Sequence, residues 1–359
     1  MFKAKNYQKE FSKLPDDAKT FPVVVFDLLK KLDLINSLFP NFFDANKAGS
    51  EKQNMLDILF ELGRADLSIG RIIEGHINAL LLINKYGTEA QKKMYFDRAI
   101  QGDLFGIWNT EMEWERVELK KIDNNLILSG AKDFCTGGLN INFAIINAAH
   151  LKGPHMVILP IRKLTHLKED WSHWNPSGMR ASVSCRIDFT NTRITEDQLL
   201  GNIHDYYKEP FFSWGAVRFS AVQLGGAQSI IDTVIEDLVK RKRTGDPYQK
   251  MRLGQLNILM ETGKLWIAKA EKMEALLNDT SHLKTTVNFS NMMRTLSTET
   301  CEEIISIAEK AVGVQSYMKK HPMEKTIRDL RVYLKQAGPD MALASVGEFI
   351  ANKKNNHAD

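Results

Sequence analysis

At 359 residues, with 43% hydrophobic and 26% charged side chains, the chain has enough apolar material for a large core and more than one domain. Its net charge of +4 comes without a long run of Lys or Arg, which argues against a nucleic-acid partner. No stretch approaches the ~18 apolar residues of a membrane span, and no signal-peptide pattern follows Met1, so the expected location is the cytoplasm. Cys135, Cys185 and Cys301 are widely scattered and read as free thiols, neither a disulfide framework nor a metal site.

Residues 1–104 read as helical. Apolar positions recur at helical spacing over 22–38, 54–64 and 67–86. Pro22 suits a first helical position, Phe39-Pro40 stops that helix, and Gly87 stands where a C-terminal cap is expected. Thr88 with Gln91 is a capping-box pair, opening a helix that ends near Gly102-Asp103.

From Phe105 to about residue 200 the pattern changes to short β-rich runs. Asn124-Asn125 reads as a hairpin turn into 126–128, and 143–148, 156–161 and 185–189 read as further strands. This block predicts a small barrel or sandwich.

The helical period returns from Phe211. Helices are expected over 217–240, 253–277 and 288–311, followed by an amphipathic one carrying Arg328, Asp329 and Arg331. Ala337-Gly338-Pro339 then breaks the chain before a short apolar helix. Helices in such succession predict an antiparallel bundle. The expected fold class is α+β, mostly α, with a helical domain over 1–104, a β-barrel domain over 105–205 and a four-helix bundle over 206–359. The basic patch Lys240-Arg241-Lys242-Arg243 is either a solvated helix end or a phosphate site. His150, His155, His166 and His173 lie in the β block without metal-ligand spacing. His173 lies between Trp171 and Trp174, shortly before Gly178.

Several stretches, in order, resemble the acyl-CoA dehydrogenases and their flavoprotein relatives. Tyr86-Gly87-Thr88-Glu89-Ala90-Gln91-Lys92 is similar to that family's "YGTEEQK", and Thr110-Glu111 to its "TEP". The run from Gly130 to Gly138 resembles "GxKxWITNG", and Gly178-Met179-Arg180-Ala181-Ser182 resembles "GMRAS". Arg241-Lys242-Arg243-Thr244-Gly245-Asp246-Pro247 is similar to "RxQFGxP", and the stretch after His321-Pro322 to "YPVEKxxRDAKIxxIYEGT".

The resemblance implies a flavin, FAD with FMN as the alternative, and a homodimer or homotetramer. It implies that Thr136 reaches flavin N5, Thr110 lies by the pyrimidine edge, and Phe134 replaces a shielding tryptophan. Arg241 would be the phosphate arginine, acting across subunits, while Arg252 and Lys310 are basic replacements able to contact phosphate. The family's glycine-rich loop after "TEP" is missing; Met112-Glu113-Trp114-Glu115-Arg116 runs on instead. The base position holds Ala337, and the alternative location on the first bundle helix, 211–226, contains no Glu or Asp. Glu209, Asp340 and Glu348 are the nearest carboxylates along the chain. An alanine accepts no proton, so ordinary thioester dehydrogenation lacks its base. The expected function is a flavin-dependent oxidoreductase acting on a small molecule, an acyl-CoA being one class. The alternatives are a flavin-dependent monooxygenase of the same fold and a non-catalytic oligomeric scaffold.

Overall fold

The computed structural model describes residues 7–11, 14–39, 54–123, 125–335 and 338–355. The N-terminal part comprises α1 (Gln8–Phe11), α2 (Val24–Leu32), α3 (Leu34–Leu38), α4 (Met55–Ala65), α5 (Leu67–Tyr86) and α6 (Glu89–Ile100). The single helix expected over 22–38 is instead two. Asp33 breaks it in a left-handed conformation, φ 44°, where its carboxylate accepts from Asn36 Nδ2 at 2.8 Å. Aspartate tolerates that region and its side chain competes for local donors, so a continuous apolar period did not reveal the break. Pro40 lies outside the described residues.

Caps fix the other starts. Asn54 accepts from the Leu56 N–H, and Asp66 from the N–H groups of Ser68 and Ile69. Thr88 and Gln91 form the full capping box, and Gln91 Nε2 also donates to the carbonyls of Asp197 and Leu199. One side chain thus starts α6 and ties it to the β domain.

That domain contains β1 (Phe105–Trp108), β2 (Glu118–Ile122), β3 (Asn125–Ser129), β4 (Ala131–Thr136), β5 (Phe143–His150), β6 (Gly153–Leu159), β7 (Glu169–Asp170), β8 (Ser184–Asp188), β9 (Thr192–Ile194) and β10 (Leu199–Leu200). They form a seven-stranded sheet, ordered β10-β6-β5-β2-β3-β9 with β1 parallel on β5, and a three-stranded sheet β4-β8-β7. Ile122 pairs with Asn125 across the β2–β3 turn; Asn124 lies outside the described residues. β5 and β6 are mostly apolar along their middles because both faces are covered. Ala144, Ile146, Ala148, Val157 and Leu159 enter the main core. Ile145, Met156 and Ile158 face the other way, onto Ala79, Leu80 and Ile83 of α5 and Phe96 of α6. At the same seam, His76 Nδ1 accepts from the Phe105 N–H at 3.0 Å, and burial pushes the imidazole down to about 3.

The C-terminal part comprises α7 (Phe211–Lys240), α8 (Pro247–Glu274), α9 (Leu283–Val312), α10 (Pro322–Tyr333) and α11 (Pro339–Asn355). α7 and α8 begin earlier than the apolar period predicts, for a local reason. Glu209 accepts from the N–H and Oγ of Ser213, and Asp246 from the N–H groups of Tyr248 and Gln249, with Pro247 in the first turn. α9 likewise starts before residue 288, where Thr286 bonds back to the His282 carbonyl.

α4 crosses α7 at backbone distance, since a Cβ at Gly63 would collide with the Val222 carbonyl and one at Gly225 with that of Phe60. α10 is docked just as tightly on the loop before β8. A Cβ at Gly178 would collide with the Arg328 carbonyl, and Asp329 Oδ1 accepts the Met179 N–H at 2.6 Å. Lys325 Nζ bridges Asp66 and Asp329 at 2.8 Å each. Burial works against its charge, but the two carboxylates prevail and hold the ammonium above its ordinary range.

Candidate active site

The side chains expected around a flavin ring gather at a fault in β4. Its pairing with β8 slips between Lys132 and Cys135, and Phe134 takes φ of 53°. A bulky residue in that region costs on the order of 1–3 kcal/mol and persists only where its neighbours hold it. Here the Asp133 N–H donates to the Thr110 carbonyl at 2.9 Å, and its buried carboxylate meets His173 Nδ1 at 3.0 Å. The bulge turns the Phe134 ring outward, 51% exposed and edge-on to Trp174 at 6.2 Å. Trp174 Nε1 is buried with no hydrogen-bond partner among the described residues.

Beyond the bulge, Thr136 Oγ1 lies 3.1 Å from Ser184 Oγ, itself 2.8 Å from Ser182 Oγ. Trp108 Nε1 donates to the Thr136 carbonyl at 3.0 Å, fixing the strand end. Behind the face, the buried Lys132 ammonium reaches Glu111 and the Asn109 carbonyl; burial pushes it down and Glu111 opposes the shift. Asn109 Oδ1 accepts from Asn147 Nδ2 at 2.9 Å and from the Tyr207 hydroxyl at 3.3 Å. Thr110, next in the chain, is exposed.

The basic residues form a separate group where α7, α8 and α9 end or begin. Arg241 ion-pairs with Asp237 one turn back and donates to the Val312 carbonyl at 3.4 Å. Gln249 donates to the neighbouring Ala311 carbonyl at 3.2 Å. Arg241 and Gln249 thus meet carbonyls at the end of α9. Lys310 is exposed on α9 and Arg252 half-buried on α8, each without an ion pair among the described residues. No hydrogen bond or ion pair among the described residues joins this group to the Phe134 face.

The carboxylates near the expected base positions are otherwise engaged or distant. Glu209 is committed to capping α7, while Asp340 and Glu348 are exposed on α11. Ala337 lies outside the described residues; Gly338, next to it, has φ 67°, where a residue without a side chain fits. Among the described residues no His, Cys, Asp and Glu side chains converge as metal ligands, and no helix is long and apolar enough to cross a membrane.

Residues 2–103 match the model for the acyl-CoA dehydrogenase N-terminal domain, and residues 206–346 that for the acyl-CoA dehydrogenase C-terminal domain. The chain belongs to the acyl-CoA dehydrogenase family. It is 22% identical over 322 residues to the mitochondrial isobutyryl-CoA dehydrogenase of Dictyostelium discoideum, covering 84% of this chain and 75% of that one. FMN-bound TdsC from Paenibacillus sp. A11-2, a dibenzothiophene monooxygenase, superposes with a TM-score of 0.85 at 16% identity, covering 98% and 95% of the two chains. Butyryl-CoA dehydrogenase from Megasphaera elsdenii gives 0.79 at 16% identity, over 93% and 91%. Dehydrogenases and monooxygenases therefore share this family fold: helical ends around a β domain.

Seen within the family, Thr110, Phe134 and Thr136 lie on β4 and on the segment bonded to it, whereas Arg241, Arg252 and Lys310 stand at the helix ends. Sequence reasoning did not reach Asp133 as the partner of His173, nor the Thr136–Ser184–Ser182 relay. Cross-strand register creates both, and no local spacing announces it. It also passed over a polar group of Arg71, Glu74, Asn78 and Arg218 that joins α5 to α7.

Proposed function

We propose that the protein is a flavin-dependent oxidoreductase of the acyl-CoA dehydrogenase type that works without the family's glutamate base. The observation that carries this reading is the β4 bulge, an exposed ring held at energetic cost beside hydroxyls and an unpartnered indole N–H. Strain of that kind is retained where a ligand makes use of it. These groups fit a flavin ring, with Phe134 against one face, Thr136 as donor at N5 and Thr110 toward the pyrimidine edge. Arg252 and Lys310 supply charge for the phosphates, joined by Arg241 once it exchanges Asp237 for phosphate oxygen. FAD is the first assignment and FMN, which needs less of the missing glycine-rich loop, the alternative. Such a cofactor supplies a hydride acceptor and, once reduced, a partner for dioxygen. The chain's part is to orient it, exclude water and place the substrate, with His173 on Asp133 as the nearest group able to carry a proton.

The test begins with colour. Protein that purifies yellow, or whose melting temperature rises on adding FAD or FMN, supports the reading; colourless protein indifferent to both flavins leaves the scaffold reading. Acyl-CoA thioesters are the first substrate class to try, under anaerobic conditions. Rapid bleaching would contradict the missing base and direct attention to Glu209, Asp340 or His173.

The second reading, a flavin-dependent monooxygenase, is favoured by the engagement of Glu209 as a helix cap, which leaves no carboxylate at either base position. Substrate-dependent oxygen uptake by the reduced protein, with thioesters inert, would select it. We also assign the protein to the cytoplasm as a homodimer or homotetramer. Tyr248, Met251, Ile258 and Leu265 form an exposed apolar stripe along α8, near Arg252. Light scattering that reports a monomer would overturn the assembly.

A further inference from the structure

Arg71, Glu74, Asn78 and Arg218 form a polar group that joins α5 to α7. Arg71, Gly75 and Asn78 share one face of α5. Arg71 pairs with the buried Glu74, whose carboxylate also accepts from Asn78 Nδ2, and Asn78 Oδ1 accepts from Arg218 Nε on α7. Glu74 is thereby taken up by Arg71 and Asn78. Arg218 is only 9% exposed and ion-pairs with no carboxylate among the described residues. Burial pushes its guanidinium down, while Glu74, Glu274 and Tyr206 act on it electrostatically in the other direction. Tyr206 and Tyr333, both pushed up by burial, lie within electrostatic reach of Arg71 and Glu74.

There is room beside these groups. Gly75 is buried, yet a Cβ built on it would meet nothing within 4 Å. At Gly215, one turn before Arg218 on α7, a Cβ would meet only the Arg218 guanidinium, at 3.7 Å. A buried glycine that opens on empty space marks a void on the α5 face that carries Arg71 and Asn78, and Asn78 bonds Arg218.

Short chains of contact link this polar group toward both ends of the candidate flavin face. Tyr206 stacks edge-on with Tyr207 at 5.0 Å, and Tyr207 bonds Asn109, the neighbour of Thr110. One turn before Arg71, Ser68 Oγ touches Met179 Sδ at 4.0 Å, at the start of the turn that carries Ser182 and, through Ser184, Thr136.

A guanidinium has five donors, and Arg218 uses one on a neutral amide. Removing such a charge from water without a counter-ion is costly, and its planar fork matches a two-oxygen anion. An apolar acyl tail would leave it unpaired. We propose that this pocket receives the negatively charged end of the substrate, a small organic oxyanion, with Arg218 as its main partner. Identifying it as the substrate pocket rests on the flavoprotein reading; anion binding itself does not.

The experiment is thermal unfolding of the protein as purified, titrated with sodium propionate and with sodium propane-1-sulfonate, against propan-1-ol and against sodium chloride at equal ionic strength. The expected result is a melting temperature that rises with at least one organic anion and with neither control. The preferred anion tells carboxylate from sulfonate chemistry. In Arg218→Met the response should weaken at least tenfold, and Arg218→Lys should restore part of it. Should Arg218→Met not fold, Gly75→Leu, which fills the void and leaves every charge in place, should abolish the response. Equal shifts with the controls, no shift in the wild type, or an undiminished response in a folded Arg218→Met or Gly75→Leu overturns the proposal. Because no flavin is added, the two readings separate. A yellow protein without an anion response defeats the pocket alone, and a colourless protein with one defeats the flavoprotein reading alone.

Discussion

The Phe134 face and the Arg241 helix end are the two halves of the flavin cradle we propose, and the chain treats them in opposite ways. At the first, one strand is bent against its conformational preference and an aromatic ring is held out to solvent. At the second, the most conspicuous cation is neutralised by Asp237 and turned onto a helix carbonyl. The ring end is organised in advance within a single chain; the phosphate end is self-satisfied and must exchange partners to act. Preorganisation of that kind belongs where orientation matters, while a phosphate can be met by charges that rearrange or arrive from another subunit.

Four measurements break or sharpen this contrast. Among the substitutions the largest loss of stability is expected from Gly178→Val, which drives a side chain into the Arg328 backbone and should cost about 3 kcal/mol in denaturant unfolding. It should loosen the ring end well before the helix end. Next comes acid. The folded His76 stays neutral down to about pH 3, while the unfolded imidazole takes its proton near its ordinary value of 6.5. Stability that is intact above pH 6.5 should therefore decline by about 1.4 kcal/mol per pH unit as the pH falls toward 3. His76→Gln, which keeps an acceptor for Phe105, should flatten that slope.

Third, Phe134→Gly should move two readouts in opposite directions. Glycine is at ease at φ 53°, so the melting temperature should hold or rise by the equivalent of about 1 kcal/mol. Flavin affinity should fall roughly tenfold or more with the lost apolar wall. A parallel loss of both would make the ring merely structural. The smallest effect is that of Asp237→Asn, which should cost less than about 1 kcal/mol, as partly exposed pairs do. By releasing Arg241 it should tighten flavin binding a few-fold, and unchanged affinity would remove Arg241 from the phosphate site.

Much of the fold was legible because it is written locally. The Thr88–Gln91 box, the α5 period and the largely apolar runs of β5 and β6 each follow from neighbouring residues and one packing rule. The helix starts were less so, since Glu209 and Asp246 cap from outside the apolar stripe that marks a helix body. Asp33 broke α2 from α3 inside a continuous period. At the site, Thr110, Phe134 and Thr136 were reachable through motif resemblance, but the bulge that gives them meaning was not. It arises from register with β8, set at a distance in the chain. The Arg71–Arg218 pocket was out of reach for the same reason, as its members come from α5, α7, α10 and the loop before α7.

Lys325 has a consequence of a mechanical kind. Its ammonium grips the residue that starts α5 and the carboxylate that holds Met179, so the first domain, the loop leading into β8 and the bundle are knotted at a single atom. The boundaries drawn at residues 104 and 205 are changes of texture along the chain and offer no hinge at this point. A force applied to α10 would reach α5 and the β domain together, and a protease seeking the seams would find this one tied.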